Sequence, residues 1–180
     1  MSQEPDRREE IAYGLEIFSS TLLNFTLFFL VALWLGWTAE FLIYLAFFAL
    51  MRNSAGGHHA KNHLLCCAEY GSVCFGGIWL ARTWLFLAPE LCLATGYTLA
   101  LFLVERYAPA THPNRPVSQR EYIKFRKRSR LVLYGVLPAL MLVKALHPVY
   151  ACTGLIAIVT EALSIIHKKG GQPHEKECTD

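Results

Sequence analysis

The sequence predicts an all-α polytopic membrane protein, with about six transmembrane helices in three hairpins and a short interfacial helix ahead of the first. Three observations lead there. Of the 180 residues, 54% are hydrophobic and 17% charged, against about 25% charged in soluble domains; a disordered chain, poor in apolar residues, is excluded as well. The charges are segregated, since residues 17–51, 64–104 and 131–166 contain only Glu40, Glu69, Arg82, Glu90, Lys144 and Glu161. Each of these blocks exceeds the roughly 20 residues of one span and carries a helix breaker near its middle.

The first element is the charged run Pro5 to Glu10, followed by Ile11, Leu15 and Phe18 at helical spacing, which predicts an amphipathic helix lying in the interface. Gly36-Trp37-Thr38 then separates a first span, Ile17–Leu35, from a second, Ala39–Met51. Ala88-Pro89-Glu90 separates Leu64–Leu87 from Leu91–Val104, and His147-Pro148 separates Leu131–Leu146 from Val149–Ile166. Proline lacks the amide donor and clashes with the preceding turn, and glycine reverses the chain at low steric cost. Within the fifth span, Gly135 and Pro138 are expected to introduce a kink. The second span is the weak one: at 1.5 Å per residue it covers roughly 20 Å of a core about 30 Å thick. The loop after it is therefore expected to sit recessed into the inner face, and five spans with one long tilted first helix is the alternative.

Cation placement tests the topology independently. With the N-terminus inside, segments 1–16, 52–63, 105–130 and 167–180 hold fifteen of the seventeen Lys and Arg, and the three opposite turns hold none. Both termini are thus expected in the cytoplasm, with residues 1–167 forming one membrane domain and 168–180 a polar tail. No cleavable signal peptide is expected, because the first ten residues are strongly charged. At least four of the six cysteines lie in apolar segments, so reduced thiols are expected rather than a disulfide scaffold.

The chemistry concentrates in residues 52–67, Arg-Asn-Ser-Ala-Gly-Gly-His-His-Ala-Lys-Asn-His-Leu-Leu-Cys-Cys. Three histidines and two cysteines within ten residues at the mouth of a span exceed what packing demands. Seven residues are close to two helical turns, which puts His59 and Cys66 on one face but about 10 Å apart along the axis. A bend is needed to close that gap, and Gly56-Gly57 can supply one. Thiol chemistry requires thiolate, favoured by a neighbouring imidazole and by the positive end of a helix dipole. The competing reading is a metal site, because His59, His63, Cys66 and Cys67 are His2Cys2 ligands at i, i+4, i+7 and i+8 and suit tetrahedral zinc.

The pattern Arg52-x-x-x-Gly56-Gly57-x-His59-Ala60, with Cys66 seven residues after His59, resembles the signature of the accessory gene regulator B family, Gram-positive membrane cysteine endopeptidases that process the precursor of a quorum-sensing peptide. Ala108-Pro109-Ala110-Thr111-His112-Pro113-Asn114-Arg115-Pro116 resembles the family's loop ending in Asn, a basic residue and Pro. The resemblance implies that Cys66 is the nucleophile and His59 its general base, with Arg52, Gly56 and Gly57 in support and no cofactor or metal. It departs at His58, a second histidine beside the expected base. It implies a small AgrD-like precursor peptide as partner, a homodimer, and the plasma membrane of a Gram-positive bacterium as location. It also implies a Cys66 thioester that an internal thiol or hydroxyl of the peptide opens, closing a thiolactone or lactone ring.

Ionisable groups inside spans mark functional sites by default. Glu69, three residues after Cys66, is a candidate to orient His59 or bind substrate; the plainer expectation is an interior pair, Glu69 with Arg82 or Lys144 with Glu161, holding helices together. The basic run from Arg115 to Arg130 is expected to lie on anionic lipid as a topology determinant, with no nucleic-acid partner. In the family the precursor has an acidic tail, which makes Arg126 and Lys127 candidate substrate-binding residues. Two other functions remain open: a small peptide transporter or exporter, which needs polar residues paired along several spans, and a zinc-dependent membrane hydrolase using His59, His63 and Cys66.

Overall fold

A computed structural model describes residues 4–55, 63–108 and 119–166. Among these, six α-helices and one 3-10 turn make up the architecture, with no strand: α1 (Glu4–Leu35), α2 (Thr38–Ala55), α3 (His63–Thr83), the 3-10 turn Leu85–Leu87, α4 (Pro89–Tyr107), α5 (Gln119–Leu146) and α6 (Pro148–Ile166). The chain divides into two compact units, Met1–Thr38 and Ala39–Asp180.

The first unit is α1 and the turn that ends it. No separate interfacial helix precedes the apolar run: α1 continues unbroken for 32 residues, because nothing between Pro5 and Gly36 interrupts it and the lone Gly14 is tolerated at a small propensity cost. Gly36 terminates the helix with φ +70°. The Trp37 amide donates to the Ala32 carbonyl at 2.8 Å and the Gly36 amide to Leu33 at 3.2 Å. This is the paired-bond termination that needs a left-handed residue, and glycine adopts it without steric penalty.

In the second unit α6 is the hub, packed against α3, α4 and α5. Its buried residues are mostly small or β-branched, among them Ala151, Thr153, Gly154, Ala157, Ile158 and Ala162, and they let neighbouring helices approach closely. A Cβ at Gly96 of α4 would lie 2.7 Å from Leu155, and one at Gly77 of α3 2.7 Å from Ile156. The remaining punctuation falls where the sequence puts it. Pro89 is the first residue of α4 and Pro148 of α6, where a missing amide donor costs nothing. His147 also caps α6, its Nδ1 accepting from the Val149 amide at 3.3 Å. Pro138 lies inside α5, which continues through it.

Two described helices are long and apolar enough to cross a membrane, Tyr122–Leu146 and Pro148–Ile166. α4 has a shorter apolar stretch because Glu90, Glu105 and Arg106 occupy its ends. Trp84, Leu87, Leu131, Leu142 and Leu146 are each more than 60% exposed, a surface that fits lipid and that water would penalise. α2 outruns its apolar stretch: it has 18 residues, or about 27 Å of rise, since Arg52 to Ala55 extend it beyond Met51. The loop that follows, expected to be recessed, lies outside the described residues.

Candidate functional site

α2 delivers Arg52 in its last turn, and α3 begins at His63, so that Cys66 closes the first turn of α3. The candidate base His59, its neighbour His58, and Gly56 and Gly57 lie outside the described residues, as does the segment Pro109–Pro116. Of the candidate zinc ligands, His63, Cys66 and Cys67 fall on the first turns of α3; among the described residues no cluster of three metal-ligating side chains occurs. Cys67, Cys74, Cys92 and Cys152 are free thiols, as expected. Glu69 is exposed on α3.

Arg52 does not face open solvent. Its Nη1 donates to both carboxylate oxygens of Glu161 in α6, at 3.3 and 3.4 Å. The Glu161 side chain is 1% exposed and that of Arg52 23%. The Arg52 guanidinium also stands 5.7 Å over the Phe48 ring. Phe48 in turn meets Tyr70 of α3 edge-on at 5.1 Å and stacks on Tyr44 at 6.0 Å. An aromatic cluster thus links the end of α2 to the start of α3.

The expected interior pairs are corrected. Arg82 pairs with Glu40, Lys144 with Glu90, and Glu161 with Arg52. Glu69 and Arg82 are thirteen residues apart on one helix, about 20 Å of rise, and cannot meet. Lys144 precedes the α5–α6 turn by three residues and Glu161 follows it by fourteen, which separates them by a similar distance. Two of the observed pairs obey the helix dipole instead: Glu40 and Glu90 occupy first turns, Arg82 and Lys144 last turns. Glu40 and Arg82 line a cleft of about 280 Å³ with Phe86, His147, Val149 and Tyr150, at the opposite end of α2 and α3 from Arg52 and Cys66.

Of the two candidate substrate-binding cations, Arg126 is half-buried and donates from Nη2 to the Glu105 carbonyl at 3.4 Å, whereas Lys127 is exposed. Arg130 forms an ion pair with Glu105. Glu161, expected to pair with Lys144, is the residue that meets the motif arginine Arg52. Its signal was present, a carboxylate in the most apolar segment of the chain, but its partner was not legible.

The family model described as accessory gene regulator B matches residues 1–165. Among curated proteins, the chain is 28% identical to a "Putative AgrB-like protein" of Clostridium acetobutylicum, over 71% of this chain and 60% of the relative. It is 23% identical to a protein of the same name from Clostridium perfringens, over 76% of this chain and 66% of the relative. The chain thus spans less than two thirds of the length of these relatives. No solved structure matches it.

Proposed function

The chain belongs to the accessory gene regulator B family, and we propose that it is a membrane cysteine endopeptidase that cuts the precursor of a quorum-sensing peptide. The observation that carries this reading is the family match over residues 1–165 together with Cys66 at the first turn of α3, where the unpaired amides and the helix dipole favour a thiolate.

The Cys66 sulfur attacks the carbonyl that ends the future signal sequence, and His59 takes the thiol proton. Collapse of the tetrahedral adduct leaves a Cys66 thioester, while the amine of the departing C-terminal tail receives the proton from His59. A thioester retains acyl-transfer potential, so an internal thiol or hydroxyl of the peptide displaces Cys66 and closes a thiolactone or lactone. Excluding water from the site protects that intermediate.

The substrate is a small AgrD-like precursor with an acidic tail, drawn to the basic face that carries Lys127. The protein spans the membrane six times with both termini in the cytoplasm, acts as a homodimer, and has Cys66 on the side where a ribosomally made precursor arrives.

The test is co-expression of the full chain with the small open reading frame beside its gene, and mass analysis of the peptides. Wild-type protein yields a cyclic product lighter than the linear acid by one water. Cys66→Ala and His59→Ala yield uncut precursor; cleavage by Cys66→Ala would refute the mechanism, and loss of activity with stoichiometric zinc on chelation would replace it with a metal hydrolase.

A further inference from the structure

We propose that Glu161 is a positioning residue for the Cys66 reaction, acting through Arg52 to hold the end of α2 against α6 and against the helix that carries the nucleophile. The inference rests on the endopeptidase reading and deepens it.

Glu161 sits on α6, far in sequence from every motif residue, and its side chain is 1% exposed. A carboxylate so enclosed is costly unless paired, and its partner is the motif residue Arg52, through both oxygens. Arg52 occupies the last turn of α2, so the pair pins that turn to the most buried helix of the unit. The same guanidinium covers the Phe48 ring, and Phe48 and Tyr44 contact Tyr70. Tyr70 is one turn beyond Cys66 in α3. A continuous path therefore runs from Glu161 through Arg52 and Phe48 to Tyr70, joining three helices around the start of α3.

An apolar pair would close the same space and often yields an equal or more stable fold, because desolvating two charges offsets much of their attraction. What an ion pair adds is direction: the guanidinium must face the two oxygens, which restricts how the end of α2 can turn relative to α6 while that contact holds. For covalent catalysis such placement matters, since displacements of about 1 Å cost on the order of a hundredfold in rate. The pair thus belongs to the geometry of the site.

The experiment uses the full chain in membranes with the co-expressed precursor, and compares Glu161→Gln, Glu161→Asp and the charge-swapped double variant Arg52→Glu with Glu161→Arg. Glu161→Gln should lower kcat about tenfold or more at nearly unchanged KM, the signature of lost transition-state stabilisation. Glu161→Asp should recover part of the rate, and the swap should exceed either single change. Iodoacetamide labelling of Cys66, read by peptide mass spectrometry, supplies a readout that needs no substrate. Glu161→Gln should slow it at neutral pH and the swap should restore it. Wild-type kcat and labelling in Glu161→Gln would overturn the proposal, as would an activity loss matched by an equal loss of folded protein. Cleavage by Cys66→Ala would instead sink the endopeptidase reading, and the labelling result would still decide the role of Glu161.

Discussion

Arg52 and Glu161 lie 109 positions apart, yet a single nitrogen of the arginine donates to both oxygens of the glutamate. The contact ties the last turn of α2 to the last third of α6. It also explains why α2 continues past its apolar stretch, since the first polar residue after Met51 finds its counter-charge within the bundle.

Fold stability and activity should separate at this pair. Glu161→Ala leaves the arginine without its carboxylate and should destabilise the protein by about 3–5 kcal/mol. Replacing both residues together, Arg52→Met with Glu161→Leu, should return the detergent melting temperature to near the wild-type value while precursor cleavage stays low. Full activity in the double variant would show that only packing was needed.

Gly96 faces Leu155 so closely that an added Cβ would sit 2.7 Å from Cδ2. Gly96→Ala should cost about 1–3 kcal/mol through overpacking, and Leu155→Ala should relieve part of it. Thermal unfolding of the two single variants and the double variant measures the coupling.

Adjacent thiols should behave differently. Cys67 is a free, half-buried thiol one residue beyond the proposed nucleophile, and about 100° around the helix from it. Cys67→Ala should retain cleavage, whereas Cys66→Ala should abolish it, as followed by the masses of the released peptides.

Substrate recruitment should depend more on Lys127 than on Arg126. Lys127 is exposed, whereas Arg126 donates to the Glu105 carbonyl. Lys127→Glu should raise the apparent KM for an acidic-tailed precursor severalfold at low ionic strength, and added salt should shrink the difference because exposed charges are screened within about 10 Å at 0.1 M. Equal KM values at low salt would remove this residue from substrate binding.

The cap on α6 predicts a milder effect. His147→Ala removes the acceptor for the Val149 amide and should lower stability by about 0.5–2 kcal/mol. His147→Asn, which supplies a side-chain oxygen at the same position, should recover most of it in the same unfolding measurement.

Much of the helical framework is local and was legible. Gly36, Pro89 and Pro148 stop or start helices through their own backbone chemistry, and the expected divisions fall at those residues. The extent of α1 and α2 was less legible, because apolar pattern marks what lipid tolerates and not where hydrogen bonding ends. Charged residues at Pro5 to Glu10 and at Arg52 simply extend helices whose interiors are apolar. In the candidate site, Cys66 stood out in the cluster of histidines and cysteines and Arg52 through the family motif, and the structure puts them at the end of one helix and the start of the next.

Local chemistry, read along one strand of sequence, specifies all-helical structure, the turns, the scarcity of charge in the apolar blocks and the cluster of reactive residues between α2 and α3. Which charges meet is a different kind of question. Arg52, Arg82 and Lys144 each had several carboxylates available in sequence, and the choice follows from which helix ends lie side by side. That arrangement comes from close packing on α6, where Gly96 of α4 and Gly77 of α3 admit Leu155 and Ile156, and Gly154 of α6 admits Phe47 of α2. Close packing between distant segments, and not any motif, decided that the counter-charge of Arg52 is Glu161.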